Sequence, residues 1–122
     1  MEARGTSFIQ KLYKQDLSPI FATWGSHQDD FEWLEKSIIY GLFLSDHTLL
    51  SELESEIVIL TSIMCQGLRA PTIWHLRGLR RLGVDDGVID EITDVIHMIA
   101  RYCGKDPSGW ALIRDVPKDS DS

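Results

Sequence analysis

Residues 51–83, SELESEIVILTSIMCQGLRAPTIWHLRGLRRLG, decide how the chain is read. At about 100° per residue, Glu56 falls on one arc with Leu53, Ile57, Ile59, Leu60, Ile63 and Met64, and Glu54, Ser55, Thr61, Ser62 and Gln66 take the opposite side. That grouping is the helical period. In the second half His75 lies between Leu79 and Leu82 with Leu76 beside it, while Arg77, Arg80 and Arg81 share the other face. Ser51 and Glu54 have the spacing of a capping box, so the first helix covers 53–68 with Gly67 as its stop. Pro71 suits a first turn, and Gly83 ends the short helix that carries His75.

Two consecutive helices therefore each turn one ionisable residue toward the core. Glu56 and His75 stand nineteen residues apart. An unpaired buried carboxylate costs several kcal/mol, so it finds a partner or takes up a proton. An imidazole on the neighbouring helix can be that partner, and the two form a proton-transfer couple if the helices pack antiparallel. The plainer alternative makes Glu56 a helix-start residue at the edge of the apolar stripe and His75 a satisfied core histidine.

Upstream, a helix is expected near residues 6–14, and Ser18-Pro19 opens another within LSPIFATWG. SHQDD, residues 26–30, reads as a loop. From Asp30 to about Ser45, Phe31, Leu34, Ile38 and Leu42 recur every three or four residues and mark an amphipathic helix. Downstream, Val88, Ile92, Val95, Ile96, Ile99 and Cys103 trace a core stripe between the Asp85-Asp86 start and Gly104. After Pro107, WALIRDV packs back as a short amphipathic tail, and PKDSDS frays in water. No period-2 alternation of useful length occurs, so the class is all-α, with about six helices.

The 122 residues suit one domain, spanning 1–122, with its own core. A net charge of −7 argues against nucleic acid and acidic membrane surfaces as partners, since both need a basic footprint. MEARGTSFIQKLYKQ has no apolar core of signal-peptide length, and no stretch reaches the ~20 residues of a membrane span. A soluble, cytoplasmic protein is the expectation. Cys65 and Cys103 form no CxxC and fit reduced thiols. His27, His47, His75 and His97 show no ligand spacing, so no metal is expected.

The stretch from Glu52 to Gly104 resembles the carboxymuconolactone decarboxylase family, whose fold is shared with the alkylhydroperoxidases. The shared pattern is a Glu opening a helix, nineteen residues to a His in a W/M-H-x-R context, a Gly-Val turn, and a final helix ending in Y-x-G. Here those are Glu56, Trp74-His75-Leu76-Arg77, Gly83-Val84 and Tyr102-Cys103-Gly104, and the likeness spans roughly residues 30–116. In the peroxidase branch a redox CxxC precedes the histidine by seven and four residues. Leu68 and Pro71 hold those positions in this chain, so disulfide-based peroxide reduction is set aside. The decarboxylase branch lacks the cysteines and keeps the histidine, as this chain does. The family's arginine-rich lead before the Glu-bearing helix is replaced by SDHTLLSELES, which points to a different acyl substrate and a tailoring role in secondary metabolism.

The resemblance implies an alkylhydroperoxidase-like helical domain and a cofactor-independent lyase acting on a small carboxylated lactone or polyketide-like acid. His75 is then the proton donor, since an imidazole of ordinary pKa about 6.5 suits transfer at neutral pH. Glu56 orients the ring or relays the proton, and Leu60, Ile63, Leu79 and Leu82 exclude water from the couple. Arg77 and Trp74 are the candidate substrate-binding residues, although the wheel turns Arg77 away from His75. Arg80 and Arg81 read as solvated surface, and Trp74 as an exposed residue at an interface. Family members form rings, which implies a homo-oligomer: dimer, trimer or hexamer. Trp24, Trp33, Phe31 and Tyr40 read as core packing, and His97 as a packed or interface residue. An isomerase or cyclase using the same couple, and a catalytically idle oligomeric binding module, are the alternatives.

Overall fold

A computed structural model of the protein describes residues 1–120, and every regular element among them is helical. The all-α expectation is met. Contacts divide the chain into two compact units, Met1–Ser55 and Glu56–Ser122.

The first unit opens with α1 (Glu2–Tyr13), a 3-10 turn (Lys14–Asp16), α2 (Leu17–Ala22) and a second 3-10 turn (Gly25–His27). Next comes α3 (Gln28–Trp33), which runs without a break into a π-helical segment, Leu34–Leu44. The SHQDD loop is therefore a correction, because those residues form the 3-10 turn and the start of α3. The wider π winding also moves the buried face. Ser37, Tyr40 and Gly41 are buried, whereas Phe31 and Leu42 of the expected stripe are exposed and Leu34 and Ile38 only partly covered. Ser45 N–H donates to the Tyr40 carbonyl at 2.8 Å, a five-residue step that closes the segment.

Glycine explains how α1 and the π-helical segment meet. A Cβ on Gly5 would sit 2.3 Å from the Lys36 carbonyl oxygen and 2.5 Å from the Gly41 nitrogen, and one on Gly41 would sit 3.1 Å from the Met1 carbonyl oxygen. Only bare backbones approach that closely. Arg4 fastens the contact, donating from Nη2 to the Gly41 carbonyl at 2.8 Å and from Nε to Ser45 Oγ at 3.0 Å. Phe8 and Tyr40 pack edge to face, and the Tyr13 and Tyr40 hydroxyls are 3.1 Å apart.

Helix α4 (Glu52–Met64) begins in the first unit and continues through the second. Its start is the expected capping box, with Glu54 N–H donating to Ser51 Oγ at 3.1 Å and Ser51 N–H to Glu54 Oε2 at 2.8 Å. Gly67, with φ 73°, turns the chain into α5 (Arg69–Arg81). Gly83, with φ 92°, leads to α6 (Asp86–Tyr102). The second unit's core joins Leu60 and Met64 of α4, Leu76 and Leu79 of α5, and Ile89 and Ile96 of α6. Ala111, Ile113 and Val116 pack onto it around a 3-10 turn (Ile113–Asp115), so the tail folds back as expected.

Three sequence expectations are corrected in this unit. The buried face of α6 is Ile89, Thr93, Ile96, His97 and Ala100, which leaves Val88, Val95, Ile99 and Cys103 of the expected stripe exposed. On α4, Leu53 is exposed, Ser55 is buried and Thr61 is half-buried. The wheel placed each of them on the other side. Within PKDSDS, Pro117 and Asp119 are held instead of frayed: Arg80 donates to the Pro117 carbonyl at 3.1 Å, and Arg81 grips Asp119 through Nε and Nη2 at 2.9 and 2.8 Å. Asp121 and Ser122 lie outside the described residues.

Candidate functional site

Glu56 and His75 meet. α4 sets the carboxylate one turn ahead of Leu60, α5 sets the imidazole beside Leu76 and Leu79, and Nδ1 lies 2.6 Å from Oε1. Glu56 has no exposed surface and the His75 side chain is 3% exposed, so the pair is shielded from water. Burial pushes the Glu56 carboxyl above its ordinary value, and the hydrogen bond and positive charge available from His75 oppose that rise. With the imidazole Nδ1–H donating to the carboxylate, the ring is locked in one tautomer with Nε2 as the basic nitrogen. The couple can thus hold, and pass on, a proton at a fixed place. Glu56 Oε2 is buried and makes no hydrogen bond among the described residues, so the carboxylate keeps accepting capacity there.

Leu60 and Leu79, expected to exclude water, are fully buried, while Ile63 and Leu82 are partly covered. The two other candidate residues stand elsewhere on α5. Helical geometry turns Trp74 by about 100° and Arg77 by about 200° from His75. Both are half-buried, which corrects the exposed setting expected for Trp74. Arg80 and Arg81 are likewise not solvated surface. Arg80 holds both oxygens of Asp86 at 2.9 and 3.0 Å, and the Arg81 side chain is only 2% exposed under its fork on Asp119. Each guanidinium is thereby committed to holding the chain together.

Two features of this unit escaped the sequence reading. The first is a groove of about 340 Å³ between α4 and α6, lined by Ile57, Thr61 and Cys65 on one side and Ile92, Val95, Ile96 and Ile99 on the other. Cys65 faces this groove as a free thiol. Thr61 fits there because its hydroxyl donates back to the Ile57 carbonyl at 2.7 Å, which hides its polarity. The second is the setting of His97. It is buried edge-on against the Trp110 ring, with centroids 5.5 Å apart and Nε2 without a hydrogen-bond partner among the described residues. Burial, then the Arg101 charge, lowers its pKa, with Asp94 opposing.

Glu56 and His75 are not among the residues lining four clefts of the described surface. Among the described residues no three His, Cys, Asp or Glu side chains converge as metal ligands, and no helix is long and apolar enough to cross a membrane. Comparisons of the chain with protein-family models, with curated proteins and with solved structures found no match.

Proposed function

We propose that this protein is a cofactor-independent carboxy-lyase of small carboxylated lactones or polyketide-like acids, with His75 and Glu56 as its proton-transfer couple. The observation that supports this most is the buried Nδ1 to Oε1 contact of 2.6 Å. Loss of CO2 breaks the bond between the carboxylate carbon and its neighbour, and the electron pair passes into a conjugated lactone or keto carbonyl. The resulting enolate takes a proton at carbon from the imidazolium Nε2, and the imidazole regains one from solvent. The Glu56 carboxylate holds the ring in place through Nδ1, and the dry surroundings strengthen that hydrogen bond. Arg77, turned away from His75, is the proposed partner of a substrate carboxylate at the site of a neighbouring copy, and Trp74 flanks it. Oligomerisation and a place in secondary metabolism belong to the same reading, and both rest on the family resemblance.

The test is CO2 release from a panel of carboxylated lactones and β-keto aromatic acids, with His75→Gln and Glu56→Gln as paired controls of unchanged circular dichroism. Turnover should fall by about 10²–10⁴-fold in either variant, the usual contribution of a positioned acid or base. Rearranged products without CO2 would transfer the couple to an isomerase or cyclase. Equal turnover in the His75→Gln protein and the wild type would remove His75 as the acid.

A second reading, an oligomeric binding module that kept the fold, is favoured by one observation. Val88, Val95, Met98, Ile99 and Tyr102 stand exposed along α6.

A further inference from the structure

The chain beyond Val116 is held differently from the tail before it. Ala111, Ile113 and Val116 are buried in the second unit's core, whereas Pro117, Lys118 and Ser120 are exposed and Asp119 is half-buried. The described residues after Val116 thus bring no apolar side chain inside, and polar bonds to two arginines of α5 fix them. Arg80 donates to the Val116 and Pro117 carbonyls at 3.3 and 3.1 Å. Arg81 donates from Nε and Nη2 to the two Asp119 oxygens at 2.9 and 2.8 Å.

The two arginines differ in where their counter-charge comes from. Arg80 takes both oxygens of Asp86, at the start of the next helix. Arg81, whose side chain is 2% exposed, takes its carboxylate from the tail. A planar fork closed on two oxygens is the geometry with which a guanidinium binds a carboxylate of any origin. Asp119 also forms one wall of a cleft of about 490 Å³, whose other walls are Arg80, Gly83, Val84, Asp85, Asp86 and Lys118. It therefore touches both the cleft and the buried guanidinium. With Asp119 swung out, Arg80, Arg81 and Lys118 outnumber Asp85 and Asp86 by one charge, which a single incoming carboxylate neutralises. A buried guanidinium without an anion is strongly unfavourable, so the departure of Asp119 leaves a site that draws in another carboxylate. Only Lys118 lies between Asp119 and the pinned Pro117 carbonyl. A group on a short tether competes at an effective concentration of the order of millimolar, so a small carboxylate above that range displaces it.

We infer that Arg81 is the floor of a binding site for small carboxylates, which Asp119 occupies as an intramolecular stand-in until a free carboxylate displaces it. Arg81 stands six residues beyond His75 on α5, about 9 Å along the helix axis. The inference rests on no part of the proposed chemistry. The test is titration of the full, ¹⁵N-labelled chain with sodium acetate up to about 200 mM, well above the competing concentration, against sodium chloride of equal ionic strength. The Arg81 Nε–H and Lys118 amide resonances are read. Acetate should shift both in the wild type beyond the effect of chloride. Asp119→Asn should bind acetate at least about tenfold more tightly, because the tethered competitor is gone. Adding Arg81→Lys, which keeps the charge and loses the fork, should remove that gain. Sodium phosphate should bind Asp119→Asn more weakly than acetate does, since Asp85 and Asp86 disfavour a dianion. If Asp119→Asn does not fold, the wild-type shifts decide. Wild-type shifts no larger in acetate than in chloride, an unchanged affinity in folded Asp119→Asn, a gain that survives Arg81→Lys, or tighter binding of phosphate would each overturn the inference.

Discussion

The two histidines of the second unit show what a single ionisable side chain does when its neighbours differ. His75 has a carboxylate 2.6 Å from Nδ1, whereas His97 has an aromatic ring edge and a buried Nε2 without a hydrogen bond. The lowered pKa of His97 means that the unfolded chain takes the proton first as pH falls. His97 therefore withdraws stability as the pH drops from about 6.5, its ordinary value, toward the lower folded one. Glu56 acts with the opposite sign, since its raised pKa lets the folded protein take up a proton before the unfolded chain does. Comparison of wild type with His97→Phe cancels the Glu56 contribution and isolates His97. In urea titrations from pH 7.5 to 5, the wild type should lose stability relative to His97→Phe, and the difference should level off above the ordinary imidazole range. Parallel curves would mean that His97 titrates alike in both states. Both histidines were visible in the sequence as imidazoles on apolar helices, but only one partner was. The nineteen-residue spacing brings Glu56 to His75 across a single turn, while Trp110 reaches His97 from beyond Pro107, a distance that no local period encodes.

Helix boundaries set by local chemistry were legible, and helix faces set by packing were not. The Ser51/Glu54 box and the glycines at 67, 83 and 104 act within a few residues, so the sequence locates them. The face that α6 buries is offset by one residue from the most apolar stripe, because Thr93 and His97 are accepted inside and Val95 and Ile99 are left out. Thr93 can be buried because its hydroxyl donates to the Ile89 carbonyl at 2.8 Å. An apolar count cannot register that one stripe of the helix is packed and the other exposed. The π-helical segment escaped for a related reason: a 3.6-residue period assigns Ile38 and Leu42 inward, and the wider winding buries Ser37 and Gly41 in their place. Its stability depends on the α1 contact through glycine. Gly5→Ala places a methyl group 2.3 Å from the Lys36 carbonyl oxygen, so one helix must move. We expect a loss of about 1–3 kcal/mol by chemical denaturation, the usual cost of overpacking. Gly87→Ala, where a Cβ meets nothing within 4 Å, is the control and should not be destabilising. Equal stability of the Gly5→Ala protein and the wild type would show that the two backbones separate freely.

Across the whole molecule, the boundary between the two compact units falls inside α4, between Ser55 and Glu56. No proline cluster, glycine run or change of composition marks it, so a reading by linkers finds one domain of 122 residues. The candidate chemistry lies in one unit and the close glycine contact in the other: Glu56 and His75 share Glu56–Ser122, while Gly5 and Gly41 share Met1–Ser55. Local opening follows such divisions, because a contact that fails releases first the residues packed against it. The Gly5→Ala protein makes this measurable by amide hydrogen exchange in mild denaturant. Exchange should accelerate through α1 and the π-helical segment, while amides of α5 and α6 keep the protection they have in the wild type. The same sample should retain the activity proposed for His75, since the Nδ1 to Oε1 contact is made wholly within the second unit. Acceleration spread evenly over α1, α5 and α6 would mean that the chain opens as one cooperative block. The stability of the Glu56–His75 couple would then depend on a glycine some fifty residues upstream of the carboxylate.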